Sequence, residues 1–349
     1  MVPALAPAGD PQVAFTFADP RIDESSGLVS ASRSDVVFTH NDSGDDARFF
    51  AVGPDGATRT VYVLPGVQAR DWEDIARGPD ERGRSSLWLG DIGDNDGRRT
   101  NGVLVHRVRE PVPGADKSVT TEKPTSFRLR YPDSPQDAET LLVHPRTGRL
   151  LIVAKPFVGP ASVFAAPDRL DPDGPNELTR VGAVDADRTG TPGGPPGLGG
   201  LGQTLVTAGD VAPDGSRVAI RTYTDVYEWT VEGDDVAAAF AGTPTVTALP
   251  PTQQGEGLAY SADGRTLLTS SEGVGAPVHR VVAGASGRRS GSSPSAGPNP
   301  GQPTATPPTD VELREEGFFL PGWVVPAAAA AVLAGVVLLV PRRRRQQHR

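Results

Sequence analysis

Cysteine is missing from all 349 residues, which excludes disulfides and thiolate metal sites together. No Gly-x-Ser-x-Gly elbow occurs, so neither a serine-hydrolase elbow nor a thiol nucleophile is on offer. Histidine is scarce, at 5 residues, and methionine occurs once. Basic residues are also few: without the five Arg of the C-terminal tail, 29 Lys and Arg face 43 Asp and Glu. That balance argues against nucleic acid as a partner, because phosphate binding needs a basic face. Long apolar runs are absent with one exception at residues 323–340.

Glycine (41) and proline (35) are abundant instead, and much of both is spread through evenly spaced turn signals. This is the pattern of an all-β chain built from many short strands. One outline recurs five times, a carboxylate just ahead of a short apolar strand. It opens at Glu24-Ser-Ser-Gly-Leu, Trp72-Glu73-Asp74-Ile75, Ala138-Glu139-Thr-Leu, Gly209-Asp210-Val211 and Gly255-Glu256-Gly-Leu. After Glu139, Asp210 and Glu256 the strand ends in a turn closed by Gly148, Gly215 or Gly264, and a second strand follows at once. Asp-Gly or Thr-Gly between apolar runs marks a hairpin, since the glycine takes the positive φ that the turn requires.

Third and fourth strands complete the first four repeats, whereas the fifth runs out after its third. A stray strand at residues 13–17 has no neighbour in sequence and can fill that gap. The reading is therefore a single β-propeller ectodomain over residues 13–282, with its ring closed by the N-terminal strand. Five blades fit the count best, and six is the other number the spacing allows. Two long intervals predict insertions at 111–123 and at the Gly/Pro-rich 185–202.

Outside the propeller the composition changes. Residues 1–12 read as the end of a signal peptide, with Ala4-Leu5-Ala6 as its small-x-small site, or as an ordinary flexible N-terminus. Residues 283–320 are a Pro/Gly/Ser-rich linker. Residues 321–341 read as a transmembrane helix, and residues 342–349 as an Arg-rich cytoplasmic tail. The expectation is a monomeric single-pass protein of the cell membrane, with the propeller outside the cell.

The marker acids Glu24, Glu73, Glu139, Asp210 and Glu256 carry the strongest functional signal. Innermost strands line a propeller's channel, so equivalent positions should converge at one mouth. Crowded carboxylates raise one another's pKa, and a divalent cation relieves them; oxygen ligands favour calcium. The other reading is internal pairing, with Lys155 and Arg221 as partners. Loops at the ends of second strands add candidate ligand-binding residues: Asn41, Asp42, Asp91, Asp94, Asn95, Tyr223 and Glu272. For catalysis the candidates are Glu73, Asp74, His40, Lys155 and Arg221. No organic cofactor is indicated.

These segments also carry a resemblance. Glu24-Ser-Ser-Gly-Leu, Thr39-His-Asn-Asp-Ser-Gly44, Asp71-Trp-Glu-Asp74, Gly90-Asp-Ile-Gly-Asp-Asn95, Asp137-Ala-Glu139 and Gly255-Glu-Gly-Leu258 resemble exported actinobacterial β-propeller proteins. Those are similar to the group labelled esterase-like activity of phytase, loosely called WD40-like. The resemblance implies a propeller and an exported location. Through the calcium-dependent phytases it also implies an ester hydrolase, acting on phosphate or carboxylic esters. Two functions follow as expectations: binding of a cell-envelope ligand or protein at an acidic mouth, and calcium-dependent ester hydrolysis there.

Overall fold

A computed structural model describes residues 11–114 and 117–284. The chain divides into two units, 1–290 and 291–349. The second unit, with the apolar run and the Arg tail, lies outside the described residues. Among the described residues no helix is long and apolar enough to cross a membrane.

Strands dominate, in chain order. β1 (Gln12–Thr16) stands alone, and blade 1 follows as β2 (Ser25–Ser30), β3 (Val37–Asn41), β4 (Arg48–Val52) and β5 (Thr58–Val63). Blade 2 holds β6 (Trp72–Pro79), β7 (Ser85–Asp91) and β8 (Val103–Arg109); after the short β9 (Ser118–Thr120) it is completed by β10 (Thr125–Arg130). Blade 3 is β11 (Ala138–Val143), β12 (Leu150–Ala154) and β13 (Ala161–Ala165), then β15 (Thr179–Val184) after the short β14 (Pro175–Glu177). Blade 4 is β16 (Val206–Val211), β17 (Arg217–Thr222), β18 (Asp225–Thr230) and β19 (Thr245–Ala248). Blade 5 is β20 (Gly255–Tyr260), β21 (Thr266–Ser271) and β22 (Pro277–Val282).

Blade 5 receives its fourth strand from the far end of the chain. β1 pairs antiparallel with β22, matching Val13 with His279 and Phe15 with Val278. The protein is thus an all-β, five-bladed β-propeller closed by its N-terminal strand. Hairpin glycines Gly148, Gly215 and Gly264 sit at φ of 72°, 73° and 68°, the left-handed region that the turn signals called for.

Each innermost strand is buried on both faces because its side chains serve the blades on either side. The core is accordingly a ring of five apolar clusters, one per blade–blade interface. Trp72 packs between blades 1 and 2, Trp88 between 2 and 3, and Trp229 between 3 and 4.

The insertions do more than bridge. The 111–123 stretch sends β9 back to pair parallel with β5 of blade 1. A stretch not singled out in sequence sends β14 back to β10 of blade 2 in the same way. The Gly/Pro-rich insertion seats on blade 4: Gly194 N–H donates to Thr252 O at 2.8 Å, and the Thr189 and Thr191 hydroxyls reach the Asp225 carboxylate at 2.7 Å each.

Candidate metal centre at the channel mouth

A β-bulge recurs at the same place on all five innermost strands. The residue facing the end of the second strand is Ser25, Trp72, Ala138, Val206 or Gly255. An extra residue follows, and the twist it adds re-aims the side chains near it. Three sets of equivalent positions result. At the residue after the facing one stand Ser26, Glu73, Glu139, Thr207 and Glu256. Two residues earlier stand Glu24, Asp71, Asp137, Leu205 and Gln254. Just past the second strands stand Asp42, Ile92, Lys155, Tyr223 and Glu272. Backbone bonds confirm this register, with Asp42, Lys155 and Glu272 donating N–H to the carbonyls of Glu24, Asp137 and Gln254.

The register corrects the expectation that the five marker acids are equivalent. Glu73, Glu139 and Glu256 are. Glu24 stands two residues earlier, alongside Asp71 and Asp137. Asp210 lies three residues beyond Thr207, where its carboxylate accepts the N–H of Val211 and of Tyr260 on blade 5 at 2.8 Å each. Asp74 does the same between Ile75 and Leu141 of blade 3, at 2.8 and 2.9 Å. Both carboxylates tie an innermost strand to the next blade.

What the mouth gathers is a set of seven acids. Ligand-capable oxygens lie within 4.8 Å of one another in three overlapping groups: Asp42–Asp71–Glu73, Asp42–Glu256–Glu272 and Glu73–Asp137–Glu139. Asp42 and Glu73 each belong to two of them. The three Glu are buried, and Asp42, Asp71, Asp137 and Glu272 are half-buried above them. Asp42 and Glu272 were expected as ligand-binding residues. Asp71 and Asp137 were missed, although the repeated Asp-x-Glu of Asp71-Trp-Glu73 and Asp137-Ala-Glu139 was a signal for them.

The electrostatics follow from crowding. Burial, then Asp137 and Glu139, pushes Asp71 up to about 7. Burial and Glu139 raise Asp137 to about 6. Burial, then Asp42 and Glu24, raises Glu272 to about 7. Burial first and fellow acids second hold Asp42, Glu73 and Glu256 well above the usual carboxylate range.

Cations are few. Lys155 Nζ donates to Glu139 Oε1 at 2.8 Å and to the Tyr223 hydroxyl at 3.0 Å. Arg221 is fully buried, and its Nη1 clips blade 4 to blade 5 through Gly257 O and Ser270 O, both at 2.6 Å. Meanwhile Glu256 Oε2 and Gln254 Oε1 are buried with no hydrogen-bond partner.

The other candidates are placed elsewhere or already engaged. His40 is fully buried against Trp72, with ring centroids 5.5 Å apart. Asn41 is held by Arg21 O and Asp45. Asp91 pairs with Arg99 at 2.7 Å, and Asp94 accepts the N–H groups of Arg98 and Arg99. Asn95 is exposed on that loop.

Fold and site together define a five-bladed propeller with an acid-lined channel mouth. No protein-family model matches the chain, and no curated protein matches it. Among solved structures it is similar to a luciferin-regenerating enzyme, at 11% identity and a TM-score of 0.43, over 77% of this chain and 94% of that one. A likeness of that size carries no argument, and the fold assignment rests on the blades themselves.

Proposed function

We propose that the chain is a membrane-anchored extracellular propeller that binds a divalent cation, calcium by its donor set, at the channel mouth. Through that mouth it recognises a cell-envelope ligand or another protein. The observation that carries this reading is the overlap of three carboxylate groups within 4.8 Å, opposed mainly by Lys155. The residues fit a hard cation: every donor is an oxygen, and the Glu256 Oε2 atom has no other partner. Asp42, Glu256 and Glu272 would hold it, with the groups of Asp71 and Glu73 and of Asp137 and Glu139 beside them. Calcium bound there supplies positive charge and coordination positions for an oxygen of the ligand. Lys155 fixes Glu139 and Tyr223, and the 185–202 insertion covers the blade 4 side.

Binding is favoured over hydrolysis because two of the acid–base candidates, His40 and Asp74, are engaged within the blades. His40 is fully buried against Trp72, and Asp74 serves backbone N–H groups. Calorimetric titration with calcium should give a site of roughly 0.1–1 mM, typical of extracellular modules, lost in Glu256→Gln. No heat of binding in the wild type would end the metal reading. Turnover of phosphate or carboxylic esters that needs calcium and is abolished by Glu73→Gln would instead establish the hydrolase. Protease added to intact cells should remove the propeller; full protection would contradict the external location.

A further inference from the structure

A second site lies outside the channel, in a groove of about 750 Å³ between blades 1 and 2. Its walls are the 66–70 connector and the 98–102 loop, and its floor is formed by β8 and β10. In a chain of net charge −9, this groove is lined by Arg70, Arg98, Arg99 and Arg128 against one carboxylate, Asp91. Arg99 neutralises Asp91: the two are 4% and 1% exposed, and Nη1 reaches Asp91 Oδ1 at 2.7 Å and Gly93 O at 2.9 Å. Arg99 Nε remains buried without a partner. Three arginines are then left over. Arg98 meets Asp96 at 3.4 Å, but both are over 70% exposed, where an ion pair is worth little. Among the described residues, no carboxylate stands within ion-pair distance of Arg70 or Arg128.

We propose that this groove binds an anionic, hydroxyl-bearing ligand, a carboxylate or phosphate group on a saccharide-like frame. Unneutralised guanidinium groups around one concavity repel one another, and a planar or tetrahedral anion satisfies their paired donors. The remaining lining mixes amide and hydroxyl groups (Gln68, Thr100, Asn101 and Ser126) with Val67, Leu104 and His106 and holds no Phe, Tyr or Trp, which suits a hydroxyl-bearing frame with some CH surface rather than an aromatic one. The volume lies within the roughly 300–1,000 Å³ of small-molecule sites. The groove is separate from the mouth, because the buried Asp91–Arg99 pair stands between them.

The test is calorimetric titration of the full chain in detergent, with chelator present so that the mouth takes no part. The probes are digalacturonate, glucose 6-phosphate and the neutral disaccharide maltose. At least one anionic probe should bind about tenfold or more tightly than maltose, and more weakly as salt rises. Whichever anion binds identifies the charged group. Arg70→Gln and Arg128→Gln, both at exposed side chains, should each weaken it about tenfold, the value of one charged hydrogen bond. Calcium-dependent stabilisation should be unchanged in both variants, which separates this proposal from the mouth's. Anions that bind no better than maltose overturn it, and so does unchanged affinity in the double variant.

Discussion

Replacing Glu256 by Gln should stabilise the calcium-free protein and abolish most of the stabilisation that calcium brings. Glu256 shares a group with Asp42 and Glu272 in which ligand-capable oxygens lie within 4.8 Å. At that distance two ionised carboxylates repel by about 3 kcal/mol at an effective dielectric constant near 20. Protons shared among the acids reduce the actual cost, so the neutral isostere should stabilise the calcium-free protein by about 1–3 kcal/mol. For a domain of this size that is a melting temperature about 3–9 °C above wild type. Glu256 is a better choice than Glu139, whose loss would strand Lys155, held at 2.8 Å. With calcium at ten times its dissociation constant, the wild type should gain about 1.4 kcal/mol and the variant almost nothing. Differential scanning fluorimetry in chelator and in a calcium series reads both effects. If wild type ignores calcium and the variant melts at or below wild type in chelator, the acids are an internal network and the cation reading is wrong.

Three further outcomes follow from the geometry. Removing residues 11–17, or changing the 2%-exposed Phe17 to Ala, should open the ring; Phe17→Ala alone should cost about 3–4 kcal/mol in urea unfolding. Asp74→Ala should cost about 1–3 kcal/mol, because it leaves the buried Leu141 N–H unpaired, with the calcium response retained. Burial pulls the His106 pKa from 6.5 to about 4, so the neutral ring's contribution is complete above 6.5 and is lost as pH falls towards 4. Between pH 7 and 5 that group should remove about 2 kcal/mol, and the stability gap between wild type and His106→Asn should narrow by that amount in pH-dependent urea melts.

The blades, their order and their closure were legible because each signal was local. Alternating apolar strands, Asp-Gly or Thr-Gly turns and a final repeat one strand short all point to one ring. β9 and β14 were not legible, since three mostly exposed residues carry no periodicity and their partners lie in the preceding blade. The mouth was legible only in part. A carboxylate ahead of an apolar strand looks the same at Glu139 and at Asp210, but the bulge falls beside Glu139 and three residues before Asp210. One residue of register decides which way a strand's side chain faces, and a bulge is not written in residue types.

That register also separates two kinds of buried acid. Asp74 and Asp210 each accept two backbone N–H groups and bind one blade to the next. If the mouth acids only held the ring together, every blade would be expected to supply one and each would find such donors. Blade 4 instead offers Leu205, Thr207 and Tyr223 at the three mouth positions, and there the Gly/Pro-rich insertion sits. The carboxylates crowd along blades 1, 2, 3 and 5, and Glu256 keeps an oxygen without a partner. A lopsided ring with an unpaired buried oxygen costs stability, and supplied positive charge is what would offset that cost.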